Sequence, residues 1–270
     1  MTGNLFRAPQ ASAPGSPVPF DPLTAVAGVA ATALLAAVAV AAGALTRPAG
    51  VVAAAFGSAI LLLAGWPFLA LLVLFVFGSV LATRYGFELK QAARLQEGTH
   101  GERGVSNVLA HITIPTALAL GAWGWPAVLP AGGLEVLFAA ALAFGASDTF
   151  ASEFGVLSGR ARSLVSGAAV AAGTNGGVSA LGELWAVAGA ASTALLGLLL
   201  YWAAGGPLVA PVDLFAIAAA SGFAGCQIDS VLGATLENRG YLTKGGTNFL
   251  SMLATVGVAA VLLYAVGGPL

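Results

Sequence analysis

Charged side chains are scarce in this chain. Only 8% of its 270 residues are Asp, Glu, Lys or Arg, whereas about a quarter of the residues in a typical soluble domain are charged. The net charge of −1 gives no sign of nucleic-acid binding. Because Cys226 is the single cysteine, an intrachain disulfide and a cluster of thiolate metal ligands are both excluded. The shortage of charge therefore favours a protein that faces lipid over one that faces water.

The composition supports this class of protein. Hydrophobic residues make up 59% of the chain and the mean hydropathy is +0.94, values that predict an all-α polytopic transmembrane helix bundle. Residues 1–20 contain four prolines and are predicted to form a disordered tail. No polar linker is long enough to divide the remainder, so residues 21–270 are predicted to form one transmembrane domain.

About eight membrane-spanning helices are predicted, since one crossing needs roughly 20 apolar residues. The apolar run over residues 51–82 is too long for one crossing, and Gly65-Trp66-Pro67-Phe68 offers a turn that divides it. Segment 163–173 is too short to span and is predicted to be a re-entrant or interfacial piece. The predicted helices lie near residues 22–45, 49–65, 67–83, 106–125, 134–156, 178–203, 208–236 and 246–267.

Basic residues predict the orientation, because loops on the cytoplasmic side collect Lys and Arg. With eight crossings, nine of the ten basic residues fall on one side, and only Arg7 lies on the other. Merging residues 49–83 into one helix would separate Arg47 from the rest. We therefore expect a multi-pass protein of the cell membrane with both termini outside and its polar motifs on the cytoplasmic side.

The first polar motif is Gly145-Ala-Ser-Asp-Thr-Phe-Ala-Ser-Glu-Phe-Gly155, at the end of an apolar run. Asp148 and Ser152 are four residues apart, as are Thr149 and Glu153, so a helix presents them on one polar face. Carboxylates at membrane depth are costly and indicate a functional site. Their oxygens suit Mg²⁺, which commonly binds through one or two carboxylates and substrate phosphates. The alternative is a helix end with solvated carboxylates.

Two further polar motifs follow. Gly173-Thr-Asn-Gly-Gly177 precedes a long helix, where glycine N–H groups could converge on an anion, although the same residues also form ordinary turns. Glu183 adds a carboxylate near the same membrane level. Asp229 lies in a segment otherwise suited to lipid, so its charge is expected to face the interior, unless it only caps a broken helix. The three motifs together predict an ion or phosphate site.

Residues 84–107 form the most charged loop of the chain, with four basic and three acidic residues. Such a loop is often no more than a solvated anchor. Phosphates nevertheless need Lys or Arg partners, and Lys90 and Arg103 are the predicted ligands. His100 and His111 lack a metal-ligand partner at helical spacing, so neither is given a role.

The three motifs resemble those of an integral-membrane family long catalogued as a domain of unknown function, which includes plant phytyl-phosphate kinase and the animal transmembrane protein 19 group. The resemblance rests on Ser147-Asp-Thr-Phe-Ala-Ser-Glu-Phe-Gly155, Gly173-Thr-Asn-Gly-Gly-Val-Ser179 and Asp229-Ser-Val-Leu-Gly-Ala-Thr235, and extends through Asn107–Ala110 and Asn248–Ser251. It covers most of residues 50–260. The family's Pro-Arg before the glycine motif is missing here, and Arg160 and Arg162 could substitute for it.

The resemblance implies a prenyl-phosphate kinase, which transfers a phosphoryl group from a nucleoside triphosphate to an isoprenoid monophosphate and gives the diphosphate. CTP is the favoured nucleotide, and the bilayer and the isoprenoid phosphate are the implied partners. Asp148, Glu153 and Asp229 are the expected catalytic and Mg²⁺-binding residues. The residues expected to bind substrate or phosphate are Lys90, Arg103, Asn107, Ser152, Arg160, Thr174, Asn175, Gly176, Gly177 and Glu183.

An ion-coupled secondary transporter is the alternative from another class. Glycine-interrupted helices with buried carboxylates also describe such carriers. A carrier would bind its ion without a nucleotide, and its polar residues would lie near the middle of the membrane. The sequence has no GxxxxGK[ST] phosphate-binding motif to decide the question.

Overall fold

The computed structural model describes residues 21–125, 128–129, 132–205 and 211–267. The predicted disordered tail, residues 1–20, lies outside this part of the chain. The described residues are mainly helical. The long helices are α1 (Pro22–Ala41), α2 (Arg47–Ala64), α3 (Trp66–Arg84), α5 (Val105–Gly124), α6 (Gly133–Gly155), α7 (Ala180–Ala203), α8 (Pro211–Leu232) and α9 (Lys244–Gly267), and α4 (Phe87–Ala92) is short.

Eight helices in the described ranges are long and apolar enough to cross a membrane. This confirms the predicted fold class. The division of residues 51–82 into two helices is also confirmed: α2 ends at Ala64, Gly65 adopts φ +101°, and α3 begins at Trp66 with proline in its first turn. Proline fits there because the first N–H groups of a helix have no partner within it.

Helix α6 lies at the centre of the bundle. It contacts α3, α5, α7, α8 and α9, and every residue from Val136 to Ser147 is buried. Alanine, glycine and serine dominate the second half of this stretch, which lets neighbouring backbones approach closely. A Cβ at Gly189 of α7 would lie 2.7 Å from the Ala146 carbonyl oxygen, and one at Gly222 of α8 would lie 2.6 Å from Ala143 Cβ.

Large side chains fill the other end of the bundle. The Phe68 and Phe138 rings meet edge to face with centroids 5.0 Å apart, and the Tyr201 ring lies 4.9 Å from Phe68. Helix α1 lies at the periphery against α2, and only 11% of the residues in its most apolar stretch are buried. A soluble protein rarely exposes so much apolar surface in one patch, so lipid is the expected neighbour of this helix.

The segment between α6 and α7 contains short strands. Residues 163–173, predicted to be re-entrant or interfacial, contribute to a small antiparallel sheet of β1 (Ala161–Ser163), β2 (Ala169–Val170) and β3 (Gly177–Val178), in the order β2-β1-β3. Arg162 pairs with Ala169 and Val178. A tight turn closes the β1–β2 hairpin, with the Gly167 N–H donating to the Ser163 carbonyl at 2.8 Å. Strand pairing satisfies backbone N–H and C=O groups of this segment.

Close packing around α6 predicts opposite effects for two glycine substitutions. Alanine normally favours a helix by about 1 kcal/mol over glycine. Gly257→Ala in α9, where an added Cβ meets nothing within 4 Å, is expected to maintain or raise the melting temperature in detergent. Gly189→Ala is expected to lower it, because overpacking costs about 1–3 kcal/mol. Equal melting temperatures for the two variants would contradict the close α6–α7 contact.

Candidate functional site

A polar cavity of about 330 Å³ opens among α6, α7, α8 and the loops at one end of the bundle. Helix α6 brings Asp148 and Ser152 to it, α7 brings Glu183, and α8 brings Asp229. The predicted glycine motif forms part of its wall. Nine predicted site residues therefore line one cavity: Asp148, Ser152, Glu153, Thr174, Asn175, Gly176, Gly177, Glu183 and Asp229.

The cavity is strongly acidic. Among the described residues, six carboxylates line it, against two basic side chains, Arg94 and Lys244. Two of the carboxylates are engaged by protein cations: Glu153 by Lys90, and Glu97 by Lys244. The other carboxylates are those of Asp148, Glu183, Asp229 and Glu237. This excess of negative charge favours a bound cation.

Asp148 and Asp229 are the carboxylates that best fit a metal ion. Asp229 lies three residues before the end of α8 and Asp148 lies seven residues before the end of α6, and both line the same cavity. The buried Asp229 Oδ1 has no hydrogen-bond partner among the described residues. Buried polar atoms are seldom left unpaired. An orphaned carboxylate oxygen beside a second carboxylate suits an oxygen-seeking cation such as Mg²⁺.

Glu153 does not join them as an equivalent ligand. Its Oε1 accepts a hydrogen bond from Thr83 Oγ1, and its Oε2 accepts one from Lys90 Nζ, both at 2.7 Å. No group of three or more His, Cys, Asp or Glu side chains in the described ranges could hold a metal ion. The structure thus corrects the expected three-carboxylate set. A pair of carboxylates is still compatible with Mg²⁺, which commonly completes its coordination with substrate phosphates and water.

Lys90 also lies elsewhere than expected. It is 1% exposed, and its ammonium donates to the carbonyl oxygens of Ala82 and Thr83 as well as to Glu153. An ammonium has three donors, so all are used within the protein. Lys90 ties α4 to α3 and α6, and its charge is unavailable to a phosphate in the cavity.

The other predicted basic ligands lie outside the cavity lining. Arg103 is buried and donates to Thr83 Oγ1 and to Asn107 Oδ1, both at 3.2 Å. The predicted Asn107 thus accepts a hydrogen bond from Arg103 and does not line the cavity. Arg160 is exposed beside the small sheet. Sequence spacing could not show that the charges of the 84–107 loop turn inward, because that depends on how α4 packs.

Lys244 and Arg94 take the place that these residues were expected to fill. Lys244 begins α9, and its Nζ lies 2.9 Å from Glu97 Oε2 across the cavity edge. Burial raises the pKa of Glu97, but the ammonium of Lys244 outweighs it and holds that pKa below its usual range. In the sequence, Lys244 served only as one of the basic residues that predict the orientation of the protein in the membrane. Its position at the start of a helix beside a glycine pair, Gly245-Gly246, was the available signal.

The glycine motif is anchored on α8 and partly used by its own turn. Thr174 N–H donates to the Ala171 carbonyl and Gly177 N–H to the Thr174 carbonyl, at 3.2 and 2.8 Å. The N–H groups of Asn175 and Gly176 have no backbone acceptor among the described residues. Two of the four expected donors therefore have no partner within the loop, and the Gly176 nitrogen packs against Gly233 after α8.

A π-helical turn, Gly233–Glu237, follows α8 and receives this loop. Asn175 Nδ2 donates to Glu237 Oε1 at 3.0 Å, and Asn238 Nδ2 donates to the Asn175 carbonyl at 3.2 Å. π turns are rare and often occur at functional sites. Here the turn carries Glu237 to the cavity and fixes the glycine motif opposite α6.

The fold and this cavity define a polytopic membrane protein with an acidic site at one end of its helix bundle. The chain belongs to the integral membrane protein family DUF92, whose profile matches residues 30–259. This confirms the family resemblance indicated by the three motifs.

Relatives of the chain are found in archaea, cyanobacteria and plants. It is 31% identical to an uncharacterized membrane protein of Methanocaldococcus jannaschii over 77% of this chain and 81% of the relative. It is 32% identical to an uncharacterized membrane protein of Synechocystis, covering 73% and 75% of the two chains. It is 30% identical to Protein PGR of Arabidopsis thaliana, covering 71% and 80%. No solved structure matches the chain.

The buried ion pair predicts a stability test. Lys90→Met would leave Glu153 without its cation, and breaking a buried pair typically costs about 3–5 kcal/mol. We expect a large fall in melting temperature in detergent. Lys90→Met/Glu153→Gln should recover much of it, because the remaining amide can still accept from Thr83. A single variant as stable as the unmodified protein would show that the pair does not hold α4 in place.

Proposed function

We propose that this protein is a membrane-embedded kinase of isoprenoid monophosphates. It transfers the γ-phosphoryl group of a nucleoside triphosphate, with CTP favoured, to the acceptor phosphate. The observation that carries the proposal is the convergence of Asp148 and Asp229, one of them with an orphaned buried oxygen, opposite a glycine loop and two basic side chains. Phosphoryl transfer relies on positioning and charge neutralisation, which such a site supplies.

The reaction is a simple exchange of one phosphorus–oxygen bond. An oxygen of the isoprenoid monophosphate attacks the γ-phosphorus, the bond to the β–γ bridging oxygen breaks, and a nucleoside diphosphate leaves. Asp148 and Asp229 would hold Mg²⁺, which would supply neutralisation of phosphate charge. The N–H groups of Asn175 and Gly176 bind phosphate oxygens from one wall, and Lys244 and Arg94 bind them from the other.

The loops that line the cavity favour a kinase over the alternative of an ion-coupled carrier, because they place its mouth at one end of the bundle, where a nucleotide can enter. Asp229 lies three residues before the end of α8, and Asp148 lies seven residues before the end of α6, which is about 10 Å along a helix. Asp148 marks the inner end of the cavity, four residues past the midpoint of α6, and the loop residues Glu97, Asn175 and Gly176 mark its opening at one edge of the bundle. We further propose that this edge is the cytoplasmic face of the cell membrane, where nucleotides are present.

The test is transfer by the purified protein in detergent, from radiolabelled CTP or ATP to phytyl, geranylgeranyl and farnesyl phosphate, with and without Mg²⁺. We expect Mg²⁺-dependent diphosphate formation. Asp148→Asn and Asp229→Asn should each lower kcat by at least about a hundredfold, the scale of losing one electrostatic stabiliser. Asp213→Asn is the matched control, because it lies sixteen residues from Asp229 on α8, about 24 Å away.

Two outcomes would overturn this proposal. One is full activity in the folded Asp148→Asn variant, which would remove the metal role. The other is no transfer under any condition together with proton- or sodium-dependent uptake by reconstituted vesicles, which would establish the carrier.

Lys244, the proposed phosphate ligand, gives a separate prediction. Lys244→Met should raise the KM for the nucleotide or the acceptor roughly tenfold or more, because a charge-assisted hydrogen bond is worth about 1.5–3 kcal/mol. Arg239→Met removes an equally charged, exposed side chain that does not line the cavity, and it should change neither constant by more than about twofold. Equal effects of the two substitutions on KM would reject a local role for Lys244.

A further inference from the structure

An apolar groove adjoins the polar cavity. It is lined by Tyr85, Leu89, Leu95, Val156 and Leu157, together with the stem of Lys90, and encloses about 430 Å³. Its residues come from the α3–α4 junction, α4, the loop after α4 and the turn that follows α6. The groove therefore lies where the bundle ends, at the same level as the acidic cavity.

The groove and the cavity share a wall. Leu95 and Val156 line both spaces. Leu95 also packs against the glycine motif so closely that a Cβ on Gly173 would collide with its Cδ2 atom. A single molecule that extends past Leu95 and Val156 would have one end among carboxylates and cations and the other among aliphatic side chains.

The charge of Lys90, a residue of the groove lining, does not face the groove. Lys90 lines it only with its stem, because its ammonium is held by Glu153 and by two backbone carbonyls. Leu89 is 69% exposed and Tyr85 is 63% exposed at the outer wall, so the groove is open to the surroundings. Apolar surface beside a phosphate site suits a hydrocarbon chain attached to the phosphate.

We propose that this groove binds the first isoprene units of the acceptor's hydrocarbon chain and thereby directs its phosphate into the cavity. This inference rests on the proposed function. Because the outer wall is open, the remainder of a long chain continues into the lipid. The nucleotide has no such chain and occupies the polar cavity alone. The groove is thus a binding site for the part of the lipid nearest to its phosphate.

The binding position of the isoprenoid chain can be tested without an activity measurement. Geranylgeranyl monophosphate with a diazirine in its first isoprene unit is photolysed with the full-length protein in detergent, and the labelled peptides are mapped by mass spectrometry. We expect labelling of residues 85–95 and 156–159, suppressed by excess unlabelled geranylgeranyl monophosphate. Labelling that is spread over the lipid-facing sides of α1 and α2, and is insensitive to competitor, would overturn the groove assignment.

A filled groove tests its effect on the acceptor. Leu157→Trp should raise the KM for geranylgeranyl phosphate about tenfold, since displacing two methylene groups costs roughly that factor. The same variant should leave the KM for CTP unchanged. Val51→Trp is the control, because Val51 is a similarly apolar residue, 72% exposed on α2, and lies outside the groove. An equal KM for the acceptor in both variants would reject the inference.

The two proposals fail in different ways. If the unmodified protein transfers no phosphoryl group but the competed label still maps to the groove, the kinase proposal fails and the lipid-phosphate site remains. If transfer occurs while the label maps elsewhere and Leu157→Trp is neutral, the kinase proposal stands and the groove assignment fails.

Discussion

The burial of α6 on every side is the constraint on which the rest of the structure depends. A helix in the middle of a bundle can be surrounded by five others only if its neighbours approach closely, which Gly189 and Gly222 permit. The same helix continues into Asp148 and Glu153, so the packing that forms the core also carries two carboxylates inward. Charges in that position need partners, because desolvation is costly.

The carboxylate of Glu153 and those of Asp148 and Asp229 differ in their partners. Glu153 forms an ion pair with Lys90 and accepts a hydrogen bond from Thr83, and these contacts hold α4 against α3 and α6. Within the described part of the chain, Asp148 and Asp229 form no ion pair. Two half-buried carboxylates that line one cavity without an ion-pair partner favour binding of an external cation. One motif of the sequence therefore supplies both a structural ion pair and a candidate ligand for a metal ion.

Much of the fold could be predicted because membrane crossings have a simple physical signature. The length of an apolar run fixes the number of helices, and Gly65 with Pro67 marked where α2 ends and α3 begins. The hairpin near Ser163 was missed, since a short apolar segment with β-branched residues fits an interfacial helix or a strand equally well. Its pairing with Gly177 is a tertiary contact that no local pattern reports.

The sequence by itself determined the membrane class, the eight crossings and the three polar motifs, because hydropathy and the cost of buried charge act locally along the chain. Only the tertiary structure decided which charges meet. Lys90 turns into the protein toward Glu153, and Lys244 takes the place at the cavity edge beside Glu97. The reason is geometric: the partner of a long basic side chain is set by how helices pack, and sequence spacing does not contain that distance.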